Sequence, residues 1–133
     1  MQKNSLNSDD IIISIETAYL ANQSDPETNR FVFSYTITIL NMSSIEVQLL
    51  SRHWLIKDAN YKLEEVIGEG VVGEQPILKP NEGFQYTSGA VLETDVGTMG
   101  GFYHFQFRND DNEKEMIKIP IPEFVLSIPR KLH

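Results

Sequence analysis

Apolar and polar residues alternate along much of the chain, which is the pattern of β-strands with one buried face. The clearest example covers residues 30–40, where aromatic and branched residues recur at every second position: Phe31, Phe33, Tyr35, Ile37 and Ile39. Residues 47–56 are apolar on both parities and contain Trp54, which favours a buried central strand. Ser43 and Glu46 match a helix capping box just before this segment, but the apolar run that follows favours the strand.

Further strands are predicted between stretches rich in glycine, proline and polar residues, at residues 11–20, 62–67, 84–92, 102–108, 116–122 and 124–128. The intervening segments read as loops, including a glycine-rich connection at residues 97–101 and a hairpin turn at 109–113. Pro120 and Pro122 cannot donate ladder hydrogen bonds, so we expect this end of the chain at a sheet edge. Seven or eight strands with turns every ~8–14 residues predict an all-β fold, an antiparallel β-sandwich with Trp54 in its core.

The length of the chain and the regular spacing of its turn segments indicate one domain. We place this domain at residues 11–133, after a flexible N-terminal segment at residues 1–10. The first ten residues are polar and lack the apolar segment of a secretory signal. No apolar run approaches the ~20 residues that a membrane span requires. We therefore expect a cytoplasmic location and no membrane partner.

Charge narrows the classes of function. The chain of 133 residues carries 19 acidic and 11 basic side chains, for a net charge of −8. The summed field repels phosphate, so we expect no nucleic acid partner. The absence of cysteine excludes disulfides, thiolate metal sites, cysteine nucleophiles and iron–sulfur clusters.

One short motif, G-x-G-x-x-G at residues 68–73, resembles a dinucleotide-binding fingerprint. That fingerprint requires a helix after the glycines, whereas Pro76 disfavours helical geometry here and the next pattern is another strand. No Lys or Arg lies between Lys62 and Lys79, although four glutamates do. We therefore expect a wide turn or bulge in which glycine supplies positive φ angles, with pyrophosphate or nucleotide binding as the alternative.

Catalytic and metal-binding patterns are weaker still. His53 and His104 fall in separate strands without ligand spacing, so metal-assisted hydrolysis at either residue is a second alternative only. Ser88 lacks the full G-x-S-x-G elbow of a nucleophile. Arg52 lies between apolar neighbours, and reads either as a paired structural cation or as an exposed interaction residue. We predict no catalytic residue, no metal and no cofactor.

Several separate blocks of the chain, in order, resemble the bacterial ApaG proteins. They are the segments VQLLSRHWLI at residues 47–56, GEGVVGEQP at 68–76, YTSG at 86–89, GTMGG at 97–101 and IPIPEF at 119–124, with LH at 132–133. The resemblance covers nearly the whole length, residues 11–133. It implies a fibronectin type III-like β-sandwich, which agrees with the strand pattern.

The resemblance also implies a function of the binding kind. Bacterial members are linked in name to cobalt and magnesium homeostasis, and related domains inside eukaryotic F-box proteins and a polymerase-interacting protein look like protein-binding modules. We therefore predict a non-enzymatic protein-interaction module with an unidentified protein partner, or with a second copy paired through a sheet edge. The predicted contact surface comprises Gly68, Glu69, Gly70, Val71, Val72, Gly73, Thr87, Ser88 and Gly89.

Overall fold

The computed structural model describes residues 6–129, and its regular structure is almost entirely β-strand. The strands in chain order are β1 Ile11–Tyr19, β2 Phe31–Asn41, β3 Val47–Asp58, β4 Leu63–Glu69, β5 Ile77–Leu78, β6 Gly83–Leu92, β7 Val96–Arg108 and β8 Lys114–Ser127. Short 3-10 turns lie at Ser8–Asp10, Ala21–Gln23 and Pro26–Thr28, and the described residues contain no α-helix.

The strands pair in antiparallel fashion and form two sheets. One sheet has the order β1-β2-β6, and the other has the order β4-β3-β7-β8, with the short β5 pairing with β3 beyond the end of β4. This is the fibronectin type III-like β-sandwich, so the predicted fold class is confirmed. The strands that end the two sheets are β1, β6, β4 and β8, and each of them pairs on one side only.

One predicted connection is wrong. Residues 97–101 are not a loop but belong to β7, which pairs with β3 and β8 along this stretch. A Cβ on Gly101, whose φ is 148°, would collide with the carbonyl oxygen of His53 on β3. The glycine is therefore required for the close approach of two backbones inside the sheet, and it lies at a register shift next to Met99.

The C-terminal strands also differ from the prediction. Residues 116–122 and 124–128, expected as two strands, are parts of one long strand, β8. Its place at the end of the sheet confirms the edge position predicted from Pro120 and Pro122.

The core lies between the sheets and is centred on Trp54, which is 2% exposed. The indole packs against Tyr35 from the three-stranded sheet at a ring distance of 5.3 Å, and against Tyr103 and Phe124 from its own sheet at 6.2 and 5.9 Å. These contacts are tilted or edge-to-face, which is the arrangement that aromatic quadrupoles prefer. The predicted core position of Trp54 is confirmed.

Asn41, at the end of β2, ties the two sheets together through a fully buried side chain. Its Nδ2 donates to the carbonyl oxygens of Ile45 and of Leu78 on β5, at 2.8 and 3.0 Å. Its Oδ1 accepts from the backbone N–H and the hydroxyl of Ser43. All the hydrogen-bonding capacity of this buried amide is thus used, as burial requires.

The ends of the chain are described only in part. Residues 1–5 of the predicted N-terminal segment, and residues 130–133 with the LH block, lie outside the described residues. Leu6 is buried against the core, and Asn7 caps the turn at Ser8–Asp10. Among the described residues, no helix has the length and apolar character needed to cross a membrane.

Candidate functional site

The glycine motif forms a tight β-hairpin at the end of β4. Val71 and Glu74 exchange two backbone hydrogen bonds, of 2.8 and 2.9 Å, around a two-residue turn. The turn residues Val72 and Gly73 have φ angles of 44° and 81°. Positive φ at both positions is the type I′ hairpin geometry, which favours Asn-Gly. The expected turn with positive φ is present, but a β-branched valine occupies one of its strained positions.

We call residues 68–74 the glycine hairpin, and Arg52 on β3 anchors it. The Nη1 of Arg52 donates to the carbonyl oxygens of Glu69 and Gly70, both at 2.9 Å. A Cβ on Gly68 would lie 2.9 Å from the guanidinium carbon, so the absence of a side chain there makes room for the arginine. The structure therefore supports the structural reading of Arg52.

The predicted contact residues differ sharply in exposure. Val71 is 0% exposed and belongs to the core cluster, so it is not available to a partner and its inclusion in the contact surface is wrong. Val72 is 54% exposed, and Glu69 and Gly73 are exposed as well. Regular strand alternation does not hold through the turn, because Gly70, Val72 and Gly73 have positive φ angles, and the chain turns Val71 towards the core.

The hairpin is a poor cradle for phosphate. The N–H of Gly70 donates to Leu50, and those of Val71 and Glu74 donate across the hairpin, so three of the loop donors are already used. The shallow pocket beside the hairpin is lined by Glu69, Gly70, Gly73, Glu74 and Gln75. Two carboxylates and no cation line this pocket, whereas an anion site needs free N–H groups or positive charge.

The second predicted segment, Thr87 to Gly89, lies on β6 in the other sheet. Thr87 is exposed and its hydroxyl pairs with that of Thr36 at 2.8 Å. Ser88 projects to the opposite side, where it lines a cleft that also contains Arg52. The two predicted segments thus lie on different sheets, and Arg52, which contacts the hairpin, lines the cleft together with Ser88 and Gly89.

This cleft separates the edges of the two sheets, and we call it the intersheet cleft. It has a volume of about 440 Å³. Its lining comes from both sheets: Tyr35, Arg52, Trp54, Ile56, Glu64, Val66, Ser88, Gly89, Ala90, Val91 and Met99. The sequence patterns did not indicate it, because its walls are distant in sequence and meet only when β4 and β6 face each other.

The ApaG domain family matches residues 21–107, which include the glycine hairpin and every residue of the intersheet cleft. The chain belongs to the ApaG family. A protein named ApaG from Thiobacillus denitrificans is 54% identical over 123 residues, covering 92% of this chain and 94% of that protein. A protein of the same name from Pectobacterium atrosepticum is 48% identical over 128 residues, covering 96% and 99%.

Solved structures agree with this ApaG assignment. The crystal structure of a Bordetella pertussis protein named ApaA superimposes with a TM-score of 0.82 at 43% identity, covering 92% of this chain and 96% of that one. A second X-ray structure, of a structural genomics target, has a TM-score of 0.83 at 43% identity, covering 95% and 92%. These names state no reaction.

The histidines lie on neighbouring strands of the ApaG sandwich. His53 faces Phe102 in the register of β3 and β7, and its Nε2 lies 3.3 Å from a carboxylate oxygen of Glu65 without forming a hydrogen bond. His104 is paired with Ser51, whose hydroxyl lies 3.2 Å from its Nδ1. Residues 6–129 contain no group of three or more histidine or carboxylate side chains placed to hold a metal ion.

Two buried tyrosines lie near the cleft. The hydroxyls of Tyr86 and Tyr103 are hydrogen-bonded to each other across the two sheets. Burial raises the pKa of both phenols well above the ordinary value, while the positive charge of Arg52 acts in the opposite direction on both. Both groups therefore stay neutral near pH 7, and the arginine lies close enough to influence them.

Proposed function

We propose that this ApaG-family protein is a non-enzymatic protein-binding module whose contact surface is the free edge formed by β4, the glycine hairpin and β5. The observation that carries the proposal is Val72, an exposed valine held at positive φ at the tip of a rigid turn. Folding alone would favour asparagine at this position. A strained apolar residue directed to solvent is better explained by contact with a partner.

The rest of this edge also presents exposed apolar side chains, with acidic groups among them. Five of the ten exposed large apolar side chains among the described residues fall in one short segment: Tyr61, Leu63, Ile67, Val72 and Ile77. Between Lys62 and Lys79 the only charges are carboxylates, at Glu64, Glu65, Glu69 and Glu74. Apolar side chains between acidic groups are complementary to a segment that alternates apolar and basic residues.

Backbone pairing supplies the affinity in this proposal. β4 pairs only with β3, so the N–H and C=O groups on its outer side face no other strand within residues 6–129, although Arg52 already occupies the carbonyl of Glu69 at its end. An extended basic segment of a partner protein would add to β4 and place alternate side chains against Ile67 and Leu63. A second copy of this chain is less suited to the same edge, because its own carboxylates would face those of the first.

The family's link with cobalt and magnesium homeostasis would then be indirect, through the partner. Nucleotide binding at the glycine hairpin is disfavoured because three of its N–H groups are already hydrogen-bonded and its charged side chains are carboxylates. The residues therefore support recognition of a protein better than recognition of an anion.

The test uses synthetic ten-residue peptides that alternate lysine and valine, with backbone amide shifts of the labelled protein as the readout. We expect saturable shifts along β4, and none along β1. A peptide with glutamate in place of lysine should not bind, because charge complementarity is lost. A lysine peptide with a central proline should not bind either, because proline interrupts strand pairing.

Matched protein variants locate the surface. Ile67→Lys should abolish binding of the lysine peptide, whereas Val125→Lys on β8 should leave it intact, since both side chains are more than half exposed, at 67% and 55%. Equal loss in both variants, or shifts that map to another edge, would show that β4 is not the contact surface. A dimer seen by sedimentation and abolished by Ile67→Lys would show that the occupant is a second copy.

A further inference from the structure

The intersheet cleft has features that the proposed contact edge does not use. It opens between β4 and β6, and its wall combines polar groups with the apolar side chains of Ile56, Val66 and Met99. Its volume of about 440 Å³ lies within the range of small-molecule sites, about 300–1,000 Å³. Cavities of this kind bind an apolar body and orient it by a few polar groups.

Arg52 is the one cation in the lining, and its charge is not neutralised by a carboxylate. Its hydrogen bonds go from Nη1 to two backbone carbonyls. Neither of the charged contacts His53–Glu65 and Lys62–Glu93 involves Arg52. The half-buried guanidinium therefore lines the cleft without a carboxylate of residues 6–129 at ion-pair distance.

Two residues that line the cleft carry further hydrogen-bond donors. The indole Nε1 of Trp54 is buried and has no hydrogen-bond partner in the described part of the chain. Ser88 adds a hydroxyl on the opposite wall. Unsatisfied buried donors are rare in folded proteins and call for an acceptor.

Glu64 restricts which acceptor fits. Its carboxylate lines the same cleft, so the site holds one cation and one anion. A single carboxylate can pair with Arg52 directly, whereas a second charge on a pyrophosphate or dicarboxylate has no further cation in the lining to pair with and adds to the repulsion from Glu64. The chemistry therefore selects a monoanion with an apolar body.

We propose that the intersheet cleft binds a small apolar monocarboxylate, with Arg52 as the counter-ion of its carboxylate and Ile56, Val66 and Met99 as the wall against its hydrocarbon part. This ligand site is separate from the edge proposed for protein partners. The two proposals fail independently, because Ile67→Lys alters the edge and leaves the cleft unchanged.

Trp54 makes the test direct, since it is the only tryptophan in the chain and lines the cleft. The probe is 4-methylpentanoate, added to the full chain while Trp54 fluorescence and its indole N–H resonance are followed. We expect a saturable change in both, with a dissociation constant of about 1 mM for a ligand of this size. The neutral amide of the same acid should bind at least about tenfold more weakly, because it cannot pair with Arg52.

Variants separate the cleft from general damage. Ser88→Val should weaken binding of 4-methylpentanoate several-fold, while Thr87→Val, its neighbour on the opposite face of β6, should not. Arg52→Gln should abolish the preference for acid over amide, and the Val72 amide resonance reports whether the hairpin is still in place in that variant. No saturable change up to about 50 mM probe, or equal binding of acid and amide, would overturn the proposal.

Discussion

The two edge strands of the larger sheet, β8 and β4, each have one side without a neighbouring strand in the described part of the chain, and their sequences treat that side in opposite ways. β8 ends the sheet on one side with Pro120 and Pro122, which remove outward N–H groups from the free edge. β4 ends it on the other side with no proline and with exposed Leu63 and Ile67. The missing N–H groups of proline hinder the pairing of a further strand with β8, which we call the closed edge. β4 has no such hindrance, and we call it the open edge.

The open edge is restricted by charge instead. Glu65 and Glu69 occupy exposed positions on β4, where like charges discourage pairing with a second copy. In the proposed function these charges favour a basic strand over an acidic one, because a basic strand neutralises them. The comparison shows that proline limits strand pairing at one edge of this sheet and that like charge limits it at the other. Four protein variants, the last with two substitutions, test this comparison.

The largest effect is expected inside the sheet, on β7, which lies between β3 and the closed edge at β8. Gly101→Ala should destabilise the protein by about 3 kcal/mol or more, because the added Cβ meets the His53 carbonyl oxygen inside the sheet. Urea unfolding measures the change. Gly100→Ala is the matched control, since its Cβ would lie 3.4 Å from the nearest atom, in Glu123, and its effect should stay below about 1 kcal/mol. Similar losses in both variants would contradict the assigned close approach.

On the open side, Arg52→Met should destabilise the protein by about 2 kcal/mol, since two hydrogen bonds from a charged donor to the hairpin carbonyls are lost. Amide hydrogen exchange at Gly70, whose N–H donates to Leu50, should accelerate more than exchange in β8. Lys57→Met, at an exposed position of the same strand, provides the control. Unchanged exchange at Gly70 would remove Arg52 from its anchoring role.

A smaller effect of opposite sign is expected at the hairpin tip. Val72→Asn should stabilise the protein by about 1 kcal/mol, because asparagine tolerates the left-handed region in which valine is strained. The same variant should weaken binding of the lysine peptide to β4. Val125→Asn, which places asparagine in an extended strand, should lower stability. A destabilised Val72→Asn protein would show that the valine is retained for folding.

The smallest change in stability is expected when the closed edge is opened. Replacing Pro120 and Pro122 together by threonine should alter the unfolding free energy by less than about 0.5 kcal/mol, because both residues lie on an edge. Self-association measured by sedimentation velocity should nevertheless increase, since new outward N–H groups become available. An unchanged monomer would show that features other than proline protect β8.

Much of the fold could be predicted from the alternation of apolar and polar residues and from the glycine-, proline- and polar-rich segments between the strands. The alternation over residues 30–40 corresponds to β2, and the run around Trp54 corresponds to the central β3. The error at residues 97–101 has a clear physical origin. Glycine interrupts the pattern of buried side chains in a loop and in a crowded strand alike, and only the position of His53 on the neighbouring strand distinguishes the two.

The candidate site was less predictable. The turn at Val72 and Gly73 follows from local sequence, but the burial of Val71 depends on the side of the hairpin that meets the core. The intersheet cleft depends on the distance between β4 and β6, which belong to different sheets and are joined by no ladder. Arg52 could be read in two ways until the carbonyls of Glu69 and Gly70 were located.

Asn41 sets the kind of motion that the sandwich permits. Its amide connects β2 to β5 and to the turn at Ser43, so translation of one sheet over the other would break buried hydrogen bonds at this end. Tyr35, which lines the intersheet cleft, lies six residues away on the same strand, about 20 Å at the rise of an extended chain. Sliding is therefore costly at this end, and the buried hydrogen bond between Tyr86 and Tyr103 opposes separation of the sheets near the cleft, so the two sheets are fastened by polar contacts at both places.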